Sequence, residues 1–394
     1  MDCDVVIVGG GLAGASLAAA LVQGGHRLAL IERKAPAAPG AEWDSRVYTL
    51  TPASIAFLES IGAWSRIDAE RVTPIYDMRV FGDDGSSRLD FSAYESGVLQ
   101  LAATVESGRL HHALWQGLER QRNLTLLCPA APSELRSSAD RVEIDLEDGS
   151  VVAAKLAVGA DGSDSWVRRA AAIETRAGGY GQLGVVANFA CSRAHRNIAY
   201  QWFRRDGVLA YLPLPDRRVS IVWSTPEAHG RELLAMEPVA FCRRVAEAGG
   251  EVLGALESLT APAAFPLSRM LAERIGQGRI ALIGDAAHVV HPLAGQGVNL
   301  GLGDAHALAD LLREAPDPGD RLLLRRFERA RAEDILALRW VTDGLFRMFE
   351  ANYRIAARIR NSGLNLVNSN PVIKTFLARR AVAVGGGLHH KDPS

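Results

Sequence analysis

The feature that most restricts this 394-residue chain stands at its beginning, where G-G-G-L-A-G follows directly on the apolar run D-V-V-I-V. Gly9, Gly11 and Gly14 carry the spacing G-x-G-x-x-G. Residues 4–8 read as a buried parallel strand, residues 12–23 as an alanine-rich helix, and residues 27–31 as a second strand ending at Glu32. In such a strand–turn–helix the first glycine allows the tight turn, the second lets backbone approach a pyrophosphate, and the third lets the helix lie close to the sheet. The helix start then offers unpaired N–H groups to phosphate. Glu32 can accept both hydroxyls of an adenosine ribose, and a carboxylate there disfavours a 2′-phosphate. The unit is therefore read as the first β-α-β of a dinucleotide-binding domain.

Two later stretches repeat the pattern of an apolar strand running into glycine. Residues 156–158 lead into V-G-A-D-G-S-D-S-W-V-R, which puts Asp161 at the carboxyl edge of a sheet, where ligands bind. The same Asp161 can instead close an Asx turn that caps a helix starting near Ser163. Residues 279–283 lead into I-G-D-A-A-H-V-V-H-P-L-A-G-Q-G-V-N-L-G-L. There Asp285 ends a strand, while Gly295, Gly297 and Asn299 let backbone pass near a flat ring and present N–H groups at the start of a helix over 298–312.

The expected fold class is α/β: a discontinuous Rossmann-like dinucleotide-binding domain, an α+β substrate domain built on an antiparallel sheet, and a helical C-terminal region. The nucleotide domain is expected in three parts, 1–72, 101–174 and 271–345, with a substrate-domain insertion at 73–100, the substrate domain at 175–270, and a helical region and tail at 346–394. Thr51 and Pro52 suit the cap and first position of a helix over 51–61, and D-D-G at 83–85 suits a hairpin within 76–94. Alternating stretches at 184–190, 198–203, 208–213 and 219–224 supply the antiparallel sheet. Its aromatic and apolar set, Tyr200, Trp202, Phe203, Tyr211, Leu212 and Trp223, either walls a cavity or packs the sheet; period two puts Tyr200 and Trp202 on one face without naming the face. His195 reads as a surface-loop residue rather than a base. Residues 320–358 are helical, with the stripe Leu338, Val341, Leu345, Phe346 and Phe349 suited to core, to a partner or to a shallow membrane contact, and with Arg354, Arg358 and Arg360 nearby.

Composition removes some classes of function. With 44 basic and 45 acidic side chains there is no general electrostatic reason to expect nucleic acid as a partner. No run reaches the roughly 20 apolar residues of a membrane span, and no signal peptide is read at the start, so a cytoplasmic place is expected, with attachment to the inner face of the membrane left open. Cys3, Cys128, Cys191 and Cys242 are scattered and read as reduced thiols. His288 and His291 lack acidic or cysteine partners at a ligand spacing, so no metal is expected.

Together, the stretches 9–14, 160–162 and 284–303 resemble the three signatures of the FAD-dependent aromatic hydroxylases, and the last is similar to that of the ubiquinone-biosynthesis hydroxylases within that superfamily. The resemblance implies FAD as cofactor, NAD(P)H or another reductant as electron donor, and O2 as co-substrate. A flavin 4a-hydroperoxide would then hydroxylate a phenol or quinone precursor carrying a polyprenyl tail, in association with other ubiquinone-biosynthesis proteins. It also implies roles. Gly11 and Gly14 would approach the pyrophosphate, Glu32 the ribose, and Arg46 in D-S-R-V-Y-T-L the pyrophosphate and flavin. Asp161 would support the cofactor and Asp285 would bind the ribityl chain. Gly297, Val298 and Asn299 would bring N–H groups to the pyrimidine end of the ring, and Pro292 would lie beside its oxygen-reactive face. His288 would be a flavin-side or structural contact, with a proton role as the alternative. The chain departs from the pattern at Tyr48-Thr49-Leu50, where Tyr48 narrows the space near the flavin, and at Ser107 and His111, which leave Arg109 as a local phosphate partner. The alternatives to the quinone reading are a hydroxylase of a soluble aromatic metabolite and a weakly catalytic FAD-binding component of a biosynthetic complex.

Overall fold

The computed structural model describes residues 1–291 and 297–350, together with Asn368. Five strands, Asp2–Val8, Leu28–Ile31, Leu124–Leu127, Val151–Gly159 and Ile280–Leu282, run parallel in one eight-stranded sheet. Strands buried on both faces read as continuous apolar runs, and Leu28–Ile31 is buried at every residue. The helix Leu12–Leu21 packs against both Ser107–Leu118 and Gly297–Leu312. In the register, Val8 stands opposite Ile31 and Gly159, and Gly159 opposite Leu282. The glycine turn, Glu32, Asp161 and Asp285 therefore emerge at one edge of the sheet, although they are scattered over nearly 280 residues of chain.

The second sheet has nine strands and is antiparallel except where Ile198–Arg204 pairs in parallel with Asp77–Phe81 of the 73–100 hairpin. On one of its faces Val185, Ala187, Phe189, Tyr211, Ile221 and Trp223 meet Leu233, Phe241 and Val245 of two helices, Glu227–Leu234 and Pro238–Ala248. Tyr200 and Trp202 share that packed face, so these aromatics are core rather than cavity wall. Phe203 turns the other way, into a small cluster with Val80, Leu89 and Val208. The two helices escape a strand-oriented reading of 175–270 because each is short and polar on its outer side. His195 corrects another expectation: it is 4% exposed, its Nε2 on the Leu214 carbonyl at 2.8 Å and its Nδ1 accepting the Asn197 N–H.

A third, three-stranded sheet joins Val47–Leu50, Ala102–Glu106 and Thr73–Ile75, and Thr104 in its middle donates to the Pro213 carbonyl of the second sheet. The residues after Asp285 also cross over, since Leu271 and Met270 pair with His288 and Val289. The large sheets are thus stitched together beside the cofactor-type motifs. The four cysteines are unpaired, and burial pushes the thiols of Cys3 and Cys191 up to about 12. Among the described residues no helix is long and apolar enough to cross a membrane.

Candidate active site

Each glycine of the first turn is required for a different reason. Gly9 has φ +103°, and a Cβ there would lie 2.4 Å from the Ala160 carbonyl oxygen of the second motif. A Cβ on Gly14 would lie 2.0 Å from the Gly9 oxygen, so the helix reaches its place only without one. At Gly11 a Cβ would meet nothing within 4 Å. That position faces open space at the start of Leu12–Leu21, a helix with no side-chain cap on its first N–H groups. A cradle of this kind, crowded behind and open in front, fits a pyrophosphate.

Gly10, to which the sequence reading gave no role, is the most heavily held residue of the turn. Its N–H donates to Glu32 Oε2 at 2.6 Å, and its carbonyl accepts from His111 Nε2 and Trp115 Nε1, both at 2.7 Å. His111, one of the departures from the family pattern, is therefore the second donor on this carbonyl, in the tautomer protonated at Nε2. Glu32 Oε1 accepts the Lys34 N–H at 3.1 Å. Each carboxylate oxygen keeps a lone pair for a ribose hydroxyl.

Asp161 is spent locally. Its Oδ1 accepts from Ser165 Oγ, and its Oδ2 accepts the N–H groups of Trp166 and Val167 at 2.7 and 3.1 Å, at the start of the helix Trp166–Ala170. The capping alternative describes these contacts. From the same helix Arg168, 7% exposed, donates to the carbonyls of Ala286 and Ser163 at 2.8 and 2.7 Å and so ties the second motif to the third.

In the third motif Gly284 has φ +59°, and a Cβ on it would lie 3.1 Å from Ala13 Cβ, while one on Gly301 would lie 3.2 Å from Gly284 Cα. The first helix, this turn and the helix Gly297–Leu312 therefore meet at backbone distance. Asp285 is exposed to solvent, although protein crowds round its carboxyl. Burial raises its carboxyl above the ordinary value, with His288 and Arg46 pulling against that rise and Asp304 adding to it. Arg46 is exposed and has its N–H on Asp44 Oδ1 at 2.8 Å. Beneath the turn lies a fully buried ionic cluster: Asp304 Oδ2 accepts from Gly284 N–H at 2.9 Å and His288 Nε2 at 2.6 Å, and Oδ1 accepts from Arg331 Nε at 2.7 Å. Burial alone would raise the Asp304 carboxyl; His288 and Arg331 outweigh it and hold it below the ordinary value.

Asn299 spends its side chain on the scaffold, accepting the Thr51 N–H at 2.9 Å and donating to the Thr49 carbonyl at 2.8 Å. It thereby fixes the helix start, with Gly297 and Val298 half-buried there, against the strand that carries half-buried Tyr48. Arg109 and Arg71 clamp buried Glu106 at 2.9 and 2.8 Å, and Arg109 also reaches the Gly40 carbonyl at 3.0 Å, which anchors the loop leading to Arg46. His291 is buried, with Nε2 3.0 Å from Gln182 Oε1 and its ring edge-on to Tyr180. Pro292 and Gly295 lie outside the described residues, as do the side chains of the 338–349 stripe.

The face of the second sheet turned away from the aromatic core carries small and medium residues, among them Gly184, Val186, Asn188, Ala210, Leu212, Ser220 and Val222. Asn188 Nδ2 donates to the Asp44 carbonyl at 2.8 Å, so this face turns toward the segment that bears Arg46. Ala210, Leu212 and Val222 are half-buried there, as is Phe265, against which a Cβ on Gly184 would press at 2.9 Å.

Residues 2–337 match the FAD binding domain family. The chain is 37% identical over 386 residues to a ubiquinone hydroxylase, UbiL, of Rhodospirillum rubrum, covering 96% of this chain and 89% of the relative. It is 34% identical over 391 residues to the 3-demethoxyubiquinol 3-hydroxylase of Escherichia coli, covering 98% of both. Among solved structures, PqsL of Pseudomonas aeruginosa, described as a probable FAD-dependent monooxygenase, superposes with a TM-score of 0.77 at 25% identity over 93% of this chain and all of the other.

Proposed function

The chain belongs to the FAD-dependent aromatic-ring monooxygenases related to the ubiquinone-pathway hydroxylases, and on that premise we propose that it hydroxylates the ring of a polyprenylated phenol or quinone precursor in ubiquinone biosynthesis. The observation that carries the substrate class is that the likeness to two quinone hydroxylases runs through the substrate sheet as well as the nucleotide sheet, covering 96% and 98% of the chain. The half-buried wall of Ala210, Leu212, Val222 and Phe265 offers an apolar, uncharged surface to such a ring.

FAD, when bound, supplies the redox and oxygen-transfer chemistry that side chains lack. Residues 1–72, 101–174 and 271–345 form its domain in this reading. Gly9, Gly11 and Gly14 take the pyrophosphate, Glu32 the adenosine ribose, and Asp285 the ribityl chain, with Arg46 beside them. Backbone N–H groups at Gly297, Val298 and Asn299 stabilise negative charge at the pyrimidine end. Tyr48 would bound the ring, and the family resemblance assigns roles near it to Pro292 and Gly295. His288 acts by position, because its Nε2 is committed to Asp304. The apolar wall orients the aromatic ring and keeps water from the reacting atoms. Reducing equivalents come from NAD(P)H or another reductant, O2 is the co-substrate, and the enzyme works at the inner membrane surface with other ubiquinone-biosynthesis proteins. A product assay across prenylated and unprenylated phenols tests this; turnover confined to compact soluble acids would overturn the quinone assignment.

A further inference from the structure

The strand Gly276–Gln277 is the edge strand of the eight-stranded sheet and precedes Ile280–Leu282, the strand whose other end carries Asp285. It lies therefore at the end of the sheet opposite the candidate active site. With the start of the helix Arg321–Glu350 it forms a small solvent-open cleft of about 40 Å³, which Arg274, Arg321 and Arg325 line. All three arginines are exposed, and among the described residues none makes an ion pair or hydrogen bond. The one acid of the cleft, Glu328, accepts the Gly276 N–H at 3.2 Å. The helix terminus itself is already served, because Asp320 Oδ1 accepts the N–H groups of Leu322 and Leu323 at 2.8 and 2.9 Å. Any anion in this cleft is thus held by guanidinium groups, whose planar forks match phosphate oxygens.

The cleft opens onto a longer surface. Along the outer side of the helix, Leu322 is 67% exposed and Leu336 is 47% exposed. Between them Arg325, Arg326 and Arg329 are exposed, with Glu333 the single exposed acid. Helical spacing gathers positions 322, 326, 329, 333 and 336 on one side over roughly 20 Å at 1.5 Å per residue. Large exposed leucines among exposed arginines match a surface whose outer layer is anionic and whose next layer is apolar.

We propose that this face docks on an anionic lipid bilayer, the leucines entering the headgroup layer and the Arg274–Arg321–Arg325 cleft taking a lipid phosphate. The proposal rests on the membrane contact in the functional reading above and supplies its site. The stripe runs from the cleft to just beyond Arg331, which touches the Asp304 cluster under the candidate active site. A helix lying flat on the bilayer would therefore bring that site's level to the interface, within reach of a ring whose polyprenyl tail lies in the apolar layer.

The test uses full-length, FAD-loaded protein and flotation with phosphatidylcholine vesicles with and without phosphatidylglycerol. Wild type should float only with the anionic vesicles, and less as salt rises. Arg274→Gln, Arg321→Gln and Arg325→Gln should each weaken binding about fivefold, and their combination on the order of a hundredfold. Leu322→Ser should weaken binding to the same vesicles. Neutralising an exposed arginine on the helix Pro238–Ala248 of the second sheet, Arg243→Gln, should leave binding unchanged. Flavin fluorescence and thermal unfolding report that each variant is folded. Undiminished flotation of the folded triple variant would overturn the site while leaving membrane contact intact. Absence of flotation by wild type would overturn both, as would binding of inorganic phosphate in the cleft without any vesicle binding. The substrate assignment is judged separately by the product assay.

Discussion

His288 donates through Nε2 to the fully buried carboxylate of Asp304 across 2.6 Å, and the same carboxylate receives Arg331 and the N–H of Gly284. The turn that presents Asp285 is thus held from beneath by charge. Removing Asp304 leaves His288 without its acceptor and buried Arg331 with Asp334 as its one carboxylate among the described residues. Asp304→Leu is expected to cost about 3–5 kcal/mol in urea unfolding, whereas Asp304→Leu combined with Arg331→Met should recover much of that loss. Because the folded Asp304 carboxyl is held below its ordinary value, its contribution is present above the ordinary carboxylate range and is lost as pH falls through the depressed one. Unfolding curves at neutral and acid pH check both statements; a single variant as stable as wild type would contradict them.

Gly14 and Gly11 should separate folding from cofactor binding. Gly14→Ala puts a methyl 2.0 Å from the Gly9 oxygen and should destabilise the apoprotein. Gly11→Ala meets no protein atom within 4 Å, so apoprotein stability should change by about 1 kcal/mol or less while FAD affinity drops about tenfold or more. Thermal unfolding and flavin titration of the two variants decide it.

The strands, the glycine turn, the place of Glu32 at a strand end and the Thr51–Pro52 helix start were legible because their signals are local: periodicity, spacing and caps. The packed face of Tyr200, Trp202, Tyr211 and Trp223 was not, since alternation gives two faces and only the docked helices say which is covered. Arg168 and Asp304 escaped because each acts through a partner far away in sequence, Ala286 for one and Arg331 for the other. Asp161 shows the reverse limit. A strand-end aspartate before glycine looks the same in sequence whether or not it caps a helix start, as Asp161 does.

His111 should be replaceable by another donor. His111→Gln is expected to keep FAD affinity within about threefold, while His111→Leu loses one hydrogen bond to the Gly10 carbonyl, about 1 kcal/mol, and about fivefold in affinity. Equal affinity in the leucine variant would show that Trp115 alone suffices.

Asp285 stores unfavourable charge in the apoprotein. With its folded carboxyl raised by burial, the ionised form costs stability as pH climbs through that raised range, and the cost vanishes at acid pH. Asp285→Asn should therefore raise the apoprotein Tm at neutral pH, lose that advantage below the ordinary aspartate range, and weaken FAD binding. Lower stability at neutral pH with unchanged FAD affinity would remove Asp285 from the cofactor site.

The central claim is that this chain, loaded with FAD, inserts one atom of O2 into an aromatic ring. Purified protein, FAD, a reductant, isotopically labelled O2 and a prenylated phenol should give a ring-hydroxylated product carrying one labelled oxygen, at a rate that falls with the Gly11→Ala variant. Reductant consumption with no labelled product from any prenylated or unprenylated phenol would contradict it.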